Sequence, residues 1–467
     1  MCNNNGECRK LAGGAMCPSY RVTRNEEDVT RGRANTLRFA ISGQLGPDAL
    51  SSEEVLHALS LCVSCKACRR ECPTGVDMAK MKIEVLAARN DRRHGWLSLR
   101  DRLVAYLPRY ARLAGALAPL INLRNRSGFL ARLMEKAAGI SARRQMPEWR
   151  WRTFDVRTSH FDRQEQSPPR SQSANPNTSP PPRGEGAGVG GQPNTPSQPH
   201  HPTPNPSPSR GGEKERVNPA GSIRTVALLA DTFNRIFEPE NLHATVEVLT
   251  QLGYRVEVIG AGRRGRPVCC GRTFLSAGLV EEARAEARRL LEAVQPYLGT
   301  GTPIVGIEPS CLLTLRDEML VMGLGAEAET LSRQAVMLEE LIAAEAKAGR
   351  IAVPIGRLEG TVHLHTHCHQ KAFGVAGPVE QTLRLVDGLK VKAIDSGCCG
   401  MAGSFGYQAE TYETSMAMGE LALLPAVRKA EPTDFIAADG FSCRHQIADG
   451  TGRNARHVAR LLAEALH

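Results

Sequence analysis

The stretch Cys62-Val-Ser-Cys65-Lys-Ala-Cys68-Arg-Arg-Glu-Cys72-Pro73 decides how the fold of this chain is interpreted. Its first three cysteines recur at steps of three, so one tight turn brings their sulfurs together. The fourth lies four residues further on, before Pro73 turns the chain away. Thiolates in the spacing C-x2-C-x2-C-x3-C-P hold iron–sulfur clusters. Structural zinc, the alternative, prefers paired C-x2-C hooks and leaves two of these cysteines poorly explained.

Length and cysteine usage bound the class of protein. The chain has 467 residues and 14 cysteines, which predicts two to three domains. The N-terminal residues lack the apolar core of a signal peptide, and no run approaches the roughly 18–20 apolar residues of a membrane span. Because the cysteines cluster in metal-like spacings, we expect metal-bound thiolates in a reducing, cytoplasmic compartment.

Positive charge is concentrated in one region. The formal net charge is +10, and residues 89–152 hold 15 Lys/Arg against 4 Asp/Glu. No nucleic-acid recognition motif accompanies this excess, so we expect no nucleic-acid partner. An anionic membrane surface or an acidic protein fits the charge at least as well, and a solvated helical face is the plain alternative. We therefore expect peripheral contact with the inner face of the cell membrane.

The sequence pattern predicts a multi-domain chain, in which an α-helical ferredoxin-type domain is followed by a duplicated α/β Cys-Cys-Gly domain. The N-terminal domain covers residues 1–92, with helices at Leu37–Leu45, Glu53–Leu61 and Met78–Arg89. A basic helical connector, interrupted at Pro108 and Pro119, covers 93–160. A Pro/Ser/Gly-rich linker, expected to be disordered, covers 161–221. The two Cys-Cys-Gly repeats cover 222–350 and 351–467.

The two repeats share one order of elements. Predicted strands alternate with helices, which implies parallel sheets; the strands are Thr225–Ala230, Tyr254–Ile259, Pro303–Ile307, Thr361–Leu364, Val391–Ile394 and Asp434–Ala437. Helices are expected at Asn241–Leu252, Val280–Val294 and Arg453–Leu466. A Cys-Cys-Gly turn follows the second strand of each repeat, and a cysteine follows the third.

The repeats differ in their cysteines. Repeat one retains three, which are Cys269, Cys270 and Cys311; repeat two has four, which are Cys368, Cys398, Cys399 and Cys443. Open α/β sheets place their sites at the carboxyl ends of strands. We therefore expect an iron–sulfur cluster at repeat two, with repeat one either lending a ligand or serving only a structural role.

The N-terminal cysteines divide into two sets by the cross-over of two-cluster ferredoxins. The first set is Cys17, Cys62, Cys65 and Cys68, and it predicts a 4Fe-4S cluster. The second set is Cys2, Cys8 and Cys72, with Asn5 where a fourth thiolate belongs. The second set has three outcomes, a three-iron cluster, a four-iron cluster with a non-cysteine ligand, or no cluster with Cys2 and Cys8 as free thiols.

Four histidines surround Cys368, at positions 363, 365, 367 and 369. Imidazoles here would orient a cluster or handle protons near a quinone. Each of them is equally compatible with a satisfied packing residue.

The N-terminal motifs resemble a known family. The segments Cys2-Asn-Asn-Asn-Gly-Glu-Cys-Arg-Lys10, Met16-Cys-Pro-Ser-Tyr20 and Thr30–Arg38, followed by Cys62–Pro73, resemble the iron–sulfur part of FAD-linked D-lactate and related 2-hydroxyacid dehydrogenases. They are also similar to glycolate oxidase iron–sulfur subunits. Cys398-Cys-Gly-Met-Ala-Gly-Ser-Phe-Gly406 and Gly440-Phe-Ser-Cys443 resemble the Cys-Cys-Gly domain of these proteins and of heterodisulfide reductase subunits.

This resemblance implies electron transfer from FAD toward a quinone or cytochrome. Because the family carries its flavin domain ahead of this region, we expect the FAD on a partner dehydrogenase subunit, or a truncated chain. The family pattern also has a leading cysteine and a closing C-x2-C. Repeat one places Asp231 and Glu308 at two of these positions, and repeat two places Gly440 at one. A heterodisulfide-reductase-like thiol–disulfide enzyme and a zinc-stapled interaction module are the alternatives.

Overall fold

The computed structural model describes Cys2 and residues 4–93, 96–154, 224–260 and 266–467. The described parts of residues 1–160 and 223–467 pack into one compact unit. The predicted linker at 161–221 and the last residues of the predicted connector lie outside the described residues.

Short helices enclose the N-terminal cysteines. They are α1 (Pro18–Thr23), α2 (Thr30–Ile41), α3 (Glu53–Ser60), α4 (Ala67–Glu71) and α5 (Met78–Arg92). The Ser52 hydroxyl caps α3 by accepting the Val55 amide, and the Asp77 carboxylate caps α5. Each cap satisfies amides that the first helical turn leaves unpaired.

The connector folds into consecutive helices. They are α6 (Leu99–Ala105), α7 (Leu107–Ala116), α8 (Ala118–Arg126) and α9 (Gly128–Ala138). Pro108 and Pro119 stand in the first turns of α7 and α8, where their missing N–H groups cost no hydrogen bond. The prolines therefore divide the helical region as expected, by starting new helices.

The first α/β half contains a parallel sheet in the order β2-β1-β3-β4. Its elements are β1 (Arg224–Leu229), α10 (Thr232–Ile236), α11 (Pro239–Gln251), β2 (Tyr254–Ile259), α12 (Arg272–Ser276), α13 (Val280–Val294), β3 (Ile304–Gly306), α14 (Pro309–Leu315), α15 (Gly325–Gln334), β4 (Ala335–Met337) and α16 (Leu338–Lys347). Strand β4 was not predicted, because three residues between two helices carry almost no periodicity.

The second half repeats this order around a parallel sheet β6-β5-β7. Its elements are β5 (Arg357–Leu364), α17 (Cys368–Phe373), α18 (Ala376–Leu383), β6 (Asp387–Ala393), α19 (Tyr412–Glu420), α20 (Leu423–Lys429), β7 (Phe435–Ala437), α21 (Phe441–Thr451) and α22 (Val458–Ala465). One apolar core joins the halves, since Leu228 of β1 and Val362 of β5 belong to the same buried cluster. The carboxyl ends of the central strands thus carry the cysteine-bearing turns of both repeats.

Within the described residues, every helix is too short or too polar to span a bilayer.

Candidate iron–sulfur sites

The loop Cys62–Cys68 is held in a tight conformation by its backbone. Ser64 and Lys66 adopt left-handed φ values of 50° and 60°, a region that non-glycine residues seldom occupy. The Lys82 ammonium donates to the Cys62 carbonyl at 2.7 Å and fixes the start of the loop. Burial, assisted by neighbouring thiols, raises the pKa of Cys68 to about 12. A thiol in this setting deprotonates only in company with a cation.

Cys17 joins this loop through a carboxylate clamp. Glu71 accepts the backbone amides of Ala15 and Met16 at 2.7 and 2.9 Å, and so ties the Cys17 segment to α4. The Thr30 amide donates to the Cys17 sulfur at 3.1 Å. Cys17 lies close enough to Cys68 for its charge to act on the Cys68 pKa. The structure thus brings together the members of the predicted first set.

The second predicted set surrounds a separate cavity of about 220 Å³. Cys2, Cys8 and Cys72 all line it, and so does Asn5. Cys2 is exposed and Cys72 is half-buried, so this cavity lies nearer the surface than the Cys65–Cys68 loop. The Asn5 side-chain oxygen accepts the Glu7 amide at 3.3 Å. The structure therefore gathers three thiols and an amide oxygen at one place.

Repeat two brings its four cysteines into one buried group. Side-chain contacts run from Cys368 to Cys398, from Cys398 to Cys399 and from Cys399 to Cys443. Contacts from Cys398 and Cys443, supported by His365, hold the pKa of Cys399 well below its ordinary value. Four sulfurs that share one buried space with a stabilised thiolate form a donor set for a metal.

The histidines around Cys368 have different roles. The His365 Nδ1 atom is hydrogen-bonded to Ser396 at 2.8 Å, while no residue in the described part of the chain hydrogen-bonds its buried Nε2. The ligand atoms of His365, Cys399 and Cys443 all lie within 4.8 Å of one another. His363 instead pairs with Asp434 at 2.8 Å, away from the thiols. The His365 ring thus lies beside the thiols of repeat two, where it favours the charged form of Cys399.

His367 explains why position 440 is a glycine. A Cβ atom on Gly440 would collide with the His367 ring and come within 3.1 Å of the Cys443 sulfur. Burial lowers the pKa of His367, but the charge and contact of Cys368 raise it to about 9. The imidazole thus occupies the space in which the family pattern has a further cysteine.

The three predicted thiols of repeat one are linked by contacts through Cys270. Cys270 contacts both Cys269 and Cys311. In both repeats the Cys-Cys-Gly turn needs its glycine. Gly271 and Gly400 adopt φ values of 82° and 89°, and a Cβ atom on either would press on the carbonyl oxygen of a following helix.

Strand register corrects one expected equivalence between the repeats. Ala227 pairs with Ile304 in repeat one, and His363 pairs with Ile436 in repeat two. With Ile304 and Ile436 as equivalent residues, Ala227 corresponds to His363. The residue five positions after Ala227 is Thr232, and the residue five positions after His363 is Cys368, so Thr232 and not Asp231 is the equivalent of Cys368. Asp231 matches His367, and both cap the following helix. The prediction was one residue off because capping is not visible in cysteine spacing. Thr232 contacts Cys269, so a hydroxyl stands where repeat two has a thiol.

The N-terminal loop packs directly on repeat two. Cys65 and Cys368 belong to the same buried cluster. Burial and the charge of Cys368 raise the pKa of Cys65 well above its ordinary value. His369 donates from Nε2 to the Ser64 carbonyl at 3.1 Å, and Arg70 donates to the Lys371 carbonyl at 2.9 Å. The two sets of thiols therefore meet across one interface.

Buried charges attach the same loop to repeat one. The Lys66 ammonium is 1% exposed and lies 2.6 Å from Asp317, 3.0 Å from Glu318 and 3.3 Å from Asp77. Lys80 also reaches Asp317, at 2.7 Å. Sequence reasoning missed this network, because a lysine between two cysteine ligands looks solvated and its partners lie about 250 residues away. Loop Cys62–Cys68 is thus fixed to both repeats.

The chemistry of the donors fits iron–sulfur clusters better than zinc. Adjacent cysteines such as Cys398 and Cys399 seldom both bind one tetrahedral zinc without strain, whereas a multi-iron cluster offers separate iron atoms to each. Backbone N–H groups also reach the sulfurs, since the Gly400 amide donates to Cys398 at 3.4 Å and the Met78 amide to Cys68 at 3.4 Å.

Two family models match the chain. Residues 1–76 match the 4Fe-4S dicluster domain, and residues 230–316 and 362–448 each match the cysteine-rich domain. This chain contains an iron–sulfur electron-transfer region. The 4Fe-4S dicluster match supports iron–sulfur clusters over the zinc-stapled alternative, and the two cysteine-rich matches agree with the duplication expected from sequence.

Several relatives match all or about half of this chain. D-2-hydroxyglutarate dehydrogenase of Escherichia coli is 23% identical over all of this chain, which spans 43% of that relative's length. One subunit of the anaerobic glycerol-3-phosphate dehydrogenase of E. coli is 28% identical over 52% of this chain and 59% of its own length. Lactate utilization protein A of Bacillus licheniformis is 26% identical over 51% of this chain and 98% of its own length. The resemblance to the iron–sulfur part of such dehydrogenases is therefore confirmed.

Proposed function

We propose that this chain is the iron–sulfur electron-transfer part of an FAD-linked 2-hydroxyacid dehydrogenase of the D-lactate or glycolate type. It takes electrons from the reduced flavin of a partner dehydrogenase subunit and passes them toward a quinone or a cytochrome. Cys17, Cys62, Cys65 and Cys68 hold one 4Fe-4S cluster, and the cavity of Cys2, Cys8 and Cys72 holds a second. Cys368, Cys398, Cys399 and Cys443 hold a third centre.

The observation that carries this proposal is the contact of Cys65 with the Cys368 group across a buried interface. Electron transfer needs redox centres at short separation, and the protein supplies that by fixing the ligands. Exposed Cys2 belongs to the outermost set, whereas Cys398 and Cys399 are buried. This order from surface to interior supports entry of electrons at the N-terminal sites and transfer inward to repeat two.

In this proposal, the partner subunit oxidises the substrate and this chain transfers the electrons. Oxidation of a 2-hydroxyacid to a 2-oxoacid delivers two electrons and two protons to the flavin of the partner. An iron–sulfur cluster supplies one-electron redox capacity. The residues of this chain bind and shield the clusters. Lys66 holds the loop in place, His369 fixes it against repeat two, and the Gly400 amide donates a hydrogen bond toward sulfur.

Iron and acid-labile sulfide analysis of the anaerobically purified chain tests this proposal. We expect both elements in comparable amounts, and paramagnetic resonance signals from more than one centre. Zinc without sulfide would contradict the proposal and support the interaction module. The variant Cys65→Ser should remove one N-terminal signal and leave that of repeat two. Loss of all signals would contradict separate N-terminal and repeat-two centres.

Thiol–disulfide chemistry makes a different prediction for the same preparation. A heterodisulfide-reductase-like enzyme would reduce a disulfide substrate when supplied with a strong electron donor. We expect no such turnover, because repeat one lacks the leading thiol and presents Thr232 there. Disulfide reduction that Cys398→Ser abolishes would favour the enzyme.

We also propose peripheral contact with an anionic membrane through the connector helices. Leu113, Leu120 and Phe129 are 69%, 72% and 74% exposed, and residues 89–152 hold the positive excess. Exposed apolar side chains among basic ones suit the surface of an anionic bilayer. Flotation with liposomes containing phosphatidylserine should recover the chain at low salt, and recovery with neutral liposomes alone should be weaker. No flotation at low salt would exclude this contact.

A further inference from the structure

A large cavity lies between the connector helices and the thiols of repeat two. Its volume is about 610 Å³, within the range of sites that bind drug-sized molecules and cofactors. The thiol-bearing residues Cys62, Cys368, Cys398 and Cys399 line one part of it, where the proposed clusters would be held, while Leu107, Ile121 and Trp149 line another. The latter residues belong to a region without cysteines, so a cluster at the Cys-Cys-Gly turn accounts for only part of the cavity.

The lining of the cavity is mixed. The connector contributes apolar side chains, among them Leu103, Leu107 and Ile121, and also the charged side chains of Arg100 and Arg124. The polar groups near the thiols include Glu308, Ser310 and Ser442. The Glu308 carboxylate is held in place because it accepts the Phe441 amide at 2.9 Å and the Ser310 hydroxyl at 2.7 Å. Because most of the lining surface is apolar and polar groups lie near the thiols, a ligand with a polar head and an apolar chain suits this cavity.

We propose that this cavity binds a lipid-soluble quinone, with its ring near the Cys398–Cys399 turn and its chain along α6, α7 and α8. This inference rests on the proposed function, and it selects the quinone over the cytochrome as acceptor. Cys398 and Cys399 are buried and line this cavity, where a small acceptor could approach them directly. A small molecule can enter such a cavity and a folded protein cannot.

The connector provides a second argument. Helix α7 turns Leu107 toward the cavity, while Leu113 of the same helix is 69% exposed. The helices that contribute apolar side chains to the cavity therefore also carry the surface proposed to contact lipid. A ligand that dissolves in the bilayer would reach the cavity from that side.

Binding can be measured without electron transfer. The chain has three tryptophans, of which Trp149 lines the cavity while Trp96 and Trp151 are exposed. Decylubiquinone, added to the oxidised, cluster-containing chain, should quench tryptophan fluorescence in a saturable way. The quenching should disappear in Trp149→Phe and persist in Trp151→Phe. The same quinone head without its chain should bind at least tenfold more weakly, because burial of two methylenes already corresponds to that factor.

A matched pair of variants on one helix locates the site. Leu107→Trp fills the cavity and should weaken decylubiquinone binding at least tenfold, whereas Leu113→Trp should change it less than twofold. Ile121→Phe is a smaller change on α8 that should weaken binding severalfold even if Leu107→Trp fails to fold. Equal affinity for the quinone with and without its chain, or unchanged binding in Ile121→Phe, would overturn the inference.

Ferricyanide separates this inference from the proposed function. Being small and water-soluble, it should reoxidise the reduced clusters of the unmodified chain equally fast with and without bound decylubiquinone. If the unmodified chain binds decylubiquinone but its clusters transfer no electrons to any acceptor, the proposed function fails and the binding site stands. If it reduces cytochrome c yet binds no quinone, the site is wrong and the electron-transfer function stands.

Discussion

Repeat one and repeat two share one order of strands and helices but differ in the side chains that follow the carboxyl ends of their strands. Repeat two has Cys368 at the start of α17 and two histidines near its thiols, and it contacts the N-terminal cluster loop. Repeat one has Thr232 at the equivalent position. It contributes Asp317 and Glu318, which bind Lys66 of the same loop. After duplication, one copy thus has four thiols in one group and the other provides a charged anchor.

Repeat one therefore has a defined structural role although it has fewer thiols. The loop Cys62–Cys68 packs on repeat two through a shared buried cluster and a few hydrogen bonds, and the pairing of Lys66 attaches it to repeat one as well. A buried ammonium without carboxylate partners is strongly unfavourable. The anchor in repeat one therefore fixes the separation between the loop and the thiols of repeat two.

The largest expected effect comes from exchanging equivalent cysteines. Cys398→Ser should abolish the resonance signal of the repeat-two centre and lower the iron content, because it removes a thiolate from the middle of the four-sulfur group. Its counterpart Cys269→Ser should leave iron content and signals unchanged. Iron analysis and paramagnetic resonance on anaerobic samples check both. Equal iron loss in the two variants would show that both repeats hold a cluster.

An intermediate effect is expected at the charged anchor. Lys66→Met removes the most buried cation shared by Asp317 and Glu318, while Arg69, Lys80 and Arg272 still pair with them. Loss of these charged hydrogen bonds should lower the free energy of unfolding by about 1.5–3 kcal/mol. The control Lys80→Met removes a partly exposed partner of Asp317 and should cost about 1 kcal/mol or less. Thermal unfolding of the cluster-containing chain measures both. A smaller loss for Lys66→Met than for Lys80→Met would contradict the anchor.

The smallest effect tests the register between the repeats. Thr232→Cys should place a fourth thiol beside Cys269 with little change in stability, and should raise the iron bound after reconstitution. Asp231→Cys removes the cap of α10, costing about 1 kcal/mol, and should add no iron. Chemical denaturation and iron analysis compare the two. Iron gained by Asp231→Cys alone would restore Asp231 as the equivalent of Cys368.

The sequence was sufficient to predict the features that a motif or a periodic pattern specifies. It was not sufficient to predict those that depend on tertiary contacts. The strand Tyr254–Ile259 and the helix Val280–Val294 have the predicted bounds, because their apolar periodicity is strong and their ends carry turn residues. The gathering of Cys17 with Cys62–Cys68 followed from known cluster spacing. The clamp from Glu71 and the pairing of Lys66 with Asp317 had no sequence signal, since each joins residues that are distant along the chain.

Gly440 is another position that the sequence alone could not explain. The sequence reveals a missing cysteine there, but only the structure shows that the His367 ring fills its place. Histidine spacing alone left open whether these rings pack or serve the site. The structure separates them, since a ring nitrogen of His365 lies within 4.8 Å of the Cys399 and Cys443 sulfurs while His363 pairs with Asp434.

Spin relaxation of the reduced N-terminal cluster tests whether the N-terminal loop and repeat two form one electron path. In the unmodified chain, a paramagnetic centre at Cys398–Cys399 should enhance the relaxation of the cluster at Cys62–Cys68, and Cys398→Ser should abolish that enhancement. Cys269→Ser should preserve it. Identical relaxation of the N-terminal cluster in the unmodified chain and in Cys398→Ser, with the repeat-two centre paramagnetic in the former, would contradict a single electron path.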